Sequence, residues 1–60
     1  MKKGDNIKIR GTLLTGIVEE VKSEYDFTLS KTSKILFVYA KVEGMKEVQK
    51  YVINEVSLLQ

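Results

Sequence analysis

Apolar and polar positions alternate along most of the chain, which is the period of a β-strand. Ile7 and Ile9 point one way and Lys8 and Arg10 the other, predicting a short strand over about residues 5–10. Gly11 punctuates the chain, and a longer run after it predicts a strand over about 12–22. Lys22, Ser23 and Glu24 read as a polar turn. Tyr25, Phe27 and Leu29 then alternate with Asp26, Thr28 and Ser30, the mark of a half-buried strand over about 24–30. A polar loop, Lys31-Thr32-Ser33-Lys34, leads into the most hydrophobic run, I-L-F-V-Y-A-K-V over 35–42. Its β-branched and aromatic residues favour strand over helix. Glu43-Gly44 has the form of a two-residue hairpin loop, with a partner strand over about 47–53. Asn54-Glu55 predicts a short 3₁₀ turn, and Ser57, Leu58 and Leu59 a last short strand.

One stretch breaks the alternation. Leu13 and Val21 share a parity and Val18 has the other, so strict period two cannot put all three on one face. A bend or bulge near Gly16 restores a common face, because an extra residue shifts the phase and glycine tolerates the distortion.

The hairpin loop also sets a register. With Glu43 and Gly44 central, Val42 faces Met45, Lys41 faces Lys46, Tyr39 faces Val48 and Phe37 faces Lys50. One face then carries Leu36, Val38, Ala40, Val42, Met45 and Tyr51. The other carries Ile35, Phe37, Tyr39, Lys41, Lys46, Val48 and Lys50. Both hold apolar groups and only one lines a core, so the second is expected to be covered by a partner subunit or a flat ligand. Which face looks inward stays open at this stage.

Composition narrows the picture. A chain of 60 residues is one small domain spanning 1–60, where burial gains and ordering costs nearly cancel. It has no cysteine to cross-link and no histidine, so neither a disulfide nor a zinc staple is expected. Tight packing or self-association remains, and self-association to a homo-oligomer is the expectation. Lys2 and Lys3 precede no apolar signal core, and no run reaches the ~18 apolar residues of a membrane span. A cytoplasmic protein without a membrane segment is expected. Net charge is +2, with Glu19, Glu20, Glu24 and Asp26 clustered mid-chain, Lys2, Lys3, Lys8 and Arg10 at the start, and Lys31, Lys34, Lys41, Lys46 and Lys50 in the second half.

G-T-L-L-T-G-I-V-E-E-V, with Gly11, Leu13, Gly16, Val18 and Val21 at its fixed offsets, resembles the first half of the Sm motif of Sm-like RNA-binding proteins. Tyr25, Phe27 and Leu29 fill the apolar places of the motif's next strand, so the resemblance covers about residues 7–30. The motif's aspartate place holds Lys22 and its base-reading asparagine place holds Asp26. The opening G-D-N-I-K-I and closing I-N-E-V-S-L-L look like those of Src-homology-3-like barrels. The two resemblances together imply an all-β fold: a small five- to six-stranded, strongly bent barrel, Src-homology-3-like or Sm-like. Val48-Gln49-Lys50-Tyr51 is similar to the pore strand of the plasmid-encoded type II dihydrofolate reductases, which would put Gln49 and Tyr51 around a pore.

Chemistry is sparse. Without histidine or cysteine there is no nucleophile–histidine–acid arrangement, and Gly11-x₄-Gly16 lacks the Lys-Ser/Thr of a phosphate loop. No catalytic residue, metal ligand or cofactor is assigned, and no enzyme activity is expected outside the reductase resemblance. Phe37, Tyr39, Lys41, Lys46 and Lys50 share one hairpin face and suit single-stranded RNA or DNA, with bases stacked on rings and phosphates beside lysines. The competing reading makes Phe37 and Tyr39 the buried part of a protein–protein or subunit interface. Both readings stand on the sequence.

Overall fold

In the computed structural model, which describes residues 1–26 and 33–59, the chain is all-β. Five strands form one antiparallel sheet: β1 (Asn6–Ile9), β2 (Thr15–Asp26), β3 (Ser33–Val42), β4 (Gln49–Val52) and β5 (Val56–Leu58). Their spatial order is β4-β3-β2-β1-β5. A 3₁₀ turn, Ile53–Glu55, joins β4 to β5, and the Glu55 carboxylate accepts a hydrogen bond from the Val52 amide at 3.0 Å. No helix among the described residues is long and apolar enough to cross a membrane.

The sheet is open, with no pairing between β4 and β5 among the described residues. It is nevertheless curled. Val52 and Val56 lie on opposite edge strands yet only four residues apart, a reach of at most ~14 Å. The outer strands of a flat five-stranded sheet would be ~19 Å apart. The core lies on one face of this sheet: Ile7, Ile9, Val18, Val38, Ala40, Val42 and Val56, with Val21, Tyr51 and Ile53 packed against it. The registers explain the grouping. Ile7, Gly16 and Val42 form one row across three strands, Val18 and Ala40 the next, then Val21, Val38 and Tyr51. The inward face of the 35–42 run is therefore the Val38–Ala40–Val42 face.

Several expectations are corrected. The two strands expected at 12–22 and 24–30 are one strand as far as Asp26, and Lys22-Ser23-Glu24 is not a turn. Those residues carry no glycine, proline or asparagine to bend the backbone, and β3 pairs with them throughout. The remaining residues of the expected second strand, 27–30, and most of the following loop lie outside the described residues. Tyr25, expected to be half-buried, is 60% exposed. Leu13 is 92% exposed at the tip of the β1–β2 turn and takes no part in the core. That turn is held by Thr12, whose hydroxyl donates to the Ile9 carbonyl at 2.8 Å and accepts from the Leu14 amide at 3.1 Å.

The phase shift exists, but at Glu19 rather than Gly16. The register slips between Val18 and Glu20, leaving Glu19 as the extra residue of a bulge. Val18 and Val21, three apart in sequence, thereby reach the same face. Gly16 does a different job. A Cβ there would sit 2.7 Å from the Lys41 carbonyl oxygen, so β2 and β3 approach each other more closely than any side chain permits.

The hairpin register is also shifted by two. Tyr39 faces Lys50, not Val48, and Phe37 faces Val52, not Lys50. The turn is where it was expected: the Met45 amide donates to the Val42 carbonyl at 3.0 Å, and Gly44 has φ +84°. Glu43 has no positive φ, whereas the two-residue turn that keeps strands paired needs one at both positions, or at the first. The strands splay, and pairing resumes only at Gln49. A slip of two preserves parity, so the paired residues keep their faces, while Met45, Lys46 and Val48 lie outside the strands.

Candidate functional site

The outward face of β2, β3 and β4 is a set of short rows. Ile17 faces Lys41; Glu20 faces Tyr39, which faces Lys50; Lys22 faces Phe37, which faces Val52; Glu24 faces Ile35. Cross-strand neighbours on one face are within side-chain reach. Three of the residues picked out for nucleic acid therefore meet. The Lys50 ammonium sits 4.3 Å from the Phe37 ring centre and 5.8 Å from that of Tyr39. Lys41 lies two residues along β3 from Tyr39 on the same face, opposite Ile17. Lys46 is exposed in the stretch between Gly44 and β4 and belongs to no row.

Carboxylates decide the electrostatics of this face. Lys50 Nζ lies 3.1 Å from Glu24 Oε2, and Lys22 Nζ lies 3.7 Å from Glu20 Oε2. Lys22 also stands 5.5 Å from the Tyr39 ring centre. The hydrogen bond to Glu24 raises the Lys50 ammonium above its ordinary value of 10.5, and burial opposes it. A cation over a ring face is attracted by the ring's quadrupole, so Lys50 is held from two sides. Expecting Lys22 to Glu24 to be a turn hid this partnership. The signal was present, because Glu20, Lys22 and Glu24 keep a parity opposite to Val21.

Among the described residues, hollows of two sizes lie beside the sheet. The larger, about 460 Å³, lies at one end, between Asn6, Ile17, Lys41, Glu43, Met45 and Leu59. Thr15 donates its hydroxyl to the Glu43 carboxylate at 3.3 Å on its rim. The smaller, about 270 Å³, lies on the β2–β3 ribbon and is lined by Glu24, Tyr25, Ile35 and Phe37.

The pore residues implied by the reductase resemblance are half-buried in β4. Tyr51 packs against the core, and the Gln49 side chain donates to the Glu47 carbonyl at 3.0 Å. Among the described residues no group of three or more acidic, histidine or cysteine side chains is placed to hold a metal. No protein-family model matches the chain, and no curated protein or solved structure matches it either.

Proposed function

We propose that the chain is a small assembly module, an Src-homology-3-like or Sm-like barrel in architecture, that associates with further copies of itself in the cytoplasm. One observation carries the reading. The buried core among the described residues is made of Ile, Val and Ala alone, while Ile17, Tyr25, Leu36, Met45, Val48, Leu58 and Leu59 are exposed. A chain near the lower size limit of independent folding gains most by burying such groups against a second copy. Light scattering across a concentration series tests it. The expected result is a discrete multimer whose melting temperature rises with concentration, since association stabilises by mass action. A monomer with an unchanging melting temperature removes the proposal.

Single-strand binding is the second reading, favoured by the Phe37–Tyr39–Lys50 grouping. Glu24 stands against it, because it already engages Lys50, one of the three lysines picked out for phosphates, and Glu20 engages Lys22 beside it. Anisotropy with a uridine-rich strand at two salt concentrations separates the readings. Tight binding that weakens with salt supports nucleic acid, and no binding at low salt removes it.

A further inference from the structure

The hollow on the β2–β3 ribbon has an unusual chemical balance. Among the described residues it is lined by Tyr25, Ile35 and Phe37, with Glu24 the single charged one. The larger hollow, by contrast, has Lys41 and Glu43 together on its wall. At about 270 Å³ the smaller one falls below the roughly 300–1,000 Å³ of sites that take whole small molecules, and its size suits one side chain.

The structure also shows what kind of group this corner attracts. An ammonium, that of Lys50, already lies against Glu24 Oε2 and over the Phe37 ring. Lys50 approaches from β4 and is not among the residues lining the hollow. It engages one carboxylate oxygen. A carboxylate has acceptor sites for about four hydrogen bonds, so a single ammonium leaves capacity on this one. A second cation with an apolar stem, entering along Ile35 and Phe37, meets that remaining capacity.

We infer that the Glu24–Tyr25–Ile35–Phe37 hollow is a binding site for a basic side chain, lysine or arginine, presented by a partner protein. The carboxylate supplies the charge-assisted hydrogen bond, and the walls cover the alkyl stem. The Phe37 ring adds the same attraction that it exerts on Lys50. Lys50 tunes the site: it holds Glu24 in place, and its own charge opposes a second cation nearby. The inference is independent of self-association, because the hollow is formed within one chain.

The test is a chemical-shift titration of the full chain with lysine and arginine blocked at both ends. Blocked norleucine serves as the neutral control and uridine monophosphate as the competing ligand class. The amides of Glu24, Ile35 and Phe37 are expected to move with blocked lysine or arginine and to stay still with norleucine. Glu24→Gln, an isosteric change at a half-buried position, is expected to weaken binding by about tenfold or more while leaving the rest of the spectrum in place. Lys50→Gln is expected to strengthen it by about threefold. Norleucine binding as well as lysine overturns the inference. So does a titration unchanged by Glu24→Gln, a response to the nucleotide alone, or no response in either the native chain or Lys50→Gln.

Discussion

Glycine serves this chain in two physically different ways, and substitution tells them apart. Gly44 has a positive φ and open space around its missing side chain. Gly44→Ala therefore costs only the backbone strain of the left-handed region, about 1 kcal/mol. Gly16 has an ordinary φ and no room, with the Lys41 carbonyl oxygen 2.7 Å from the position of a Cβ and Val42 Cα at 3.1 Å. Both atoms are backbone, so β2 and β3 must move apart. Gly16→Ala is expected to cost about 2–3 kcal/mol in urea denaturation, clearly more than Gly44→Ala. A smaller loss at Gly16 than at Gly44 would show that the close approach is not needed. Lys50 offers a test by pH. Its hydrogen bond to Glu24 raises the folded-state value above 10.5, so folding strengthens proton binding. That contribution is complete below the unfolded value and fades as pH climbs through the raised folded one. The urea midpoint of the native chain should therefore fall more steeply above about pH 10.5 than that of Glu24→Gln, and added salt should shrink the difference. Parallel curves would mean that the exposed pair contributes nothing.

At the level of the element, β2 shows why some features were legible in the sequence and others were not. Alternation reports which face a side chain takes. That is why the shared face of Ile7 and Ile9, the sides of the paired hairpin residues and the common face of Phe37, Tyr39 and Lys50 could be read directly. It reports nothing about backbone geometry, so the splayed turn at Glu43-Gly44 and the two-residue slip stayed hidden. The parity conflict between Val18 and Val21 did announce an irregularity, but the nearby glycine drew it to the wrong residue. The extra residue is in the V-E-E-V segment itself, where Glu19 and Glu20 together oppose Tyr39. Shortening this segment to a single glutamate gives Val18 inward, glutamate outward and Val21 inward, a regular alternation with the downstream register unchanged. That deletion is expected to fold cooperatively, with a loss on the order of 1 kcal/mol, because no core side chain changes face. Deleting Lys22 instead turns the following residues of β2 over, placing Glu24 on the core side. Melting curves and amide spectra of the two deletions decide the matter. Equal damage from both would mean that the extra glutamate is needed for the curl of the sheet.

Across the whole molecule, stability is distributed unevenly along the two longest strands. The overall dimensions are 37 × 23 × 22 Å, and the long axis is close to the ~40 Å that twelve residues of extended strand span. β1 pairs with β2 only near its start, over Thr15 to Ile17, and β4 pairs with β3 only from Phe37 to Ala40. Beyond Lys22 and Phe37 the rows Ser23–Leu36, Glu24–Ile35 and Tyr25–Lys34 pair β2 with β3, and no third strand pairs with them among the described residues. Two-stranded ribbons are marginal in water unless a third strand or a packed face supports them. Leu36, on the core side of this ribbon, and Tyr25 are 39% and 60% exposed, so among the described residues no packed face does so. Hydrogen exchange in dilute solution should therefore show a gradient. Amides of Val18, Val38 and Ala40 should open only with global unfolding, and paired amides at 23–26 and 34–36 should exchange by local opening. Self-association adds a condition that a rigid monomer does not meet. If copies cover the ribbon, its protection must rise with protein concentration while that of the core rises only as far as overall stability does. A gradient that stays fixed at every concentration would place the contact between copies elsewhere on the sheet. Uniform protection in a dilute monomer would mean that the ribbon supports itself, and the argument from unsupported strands would fail.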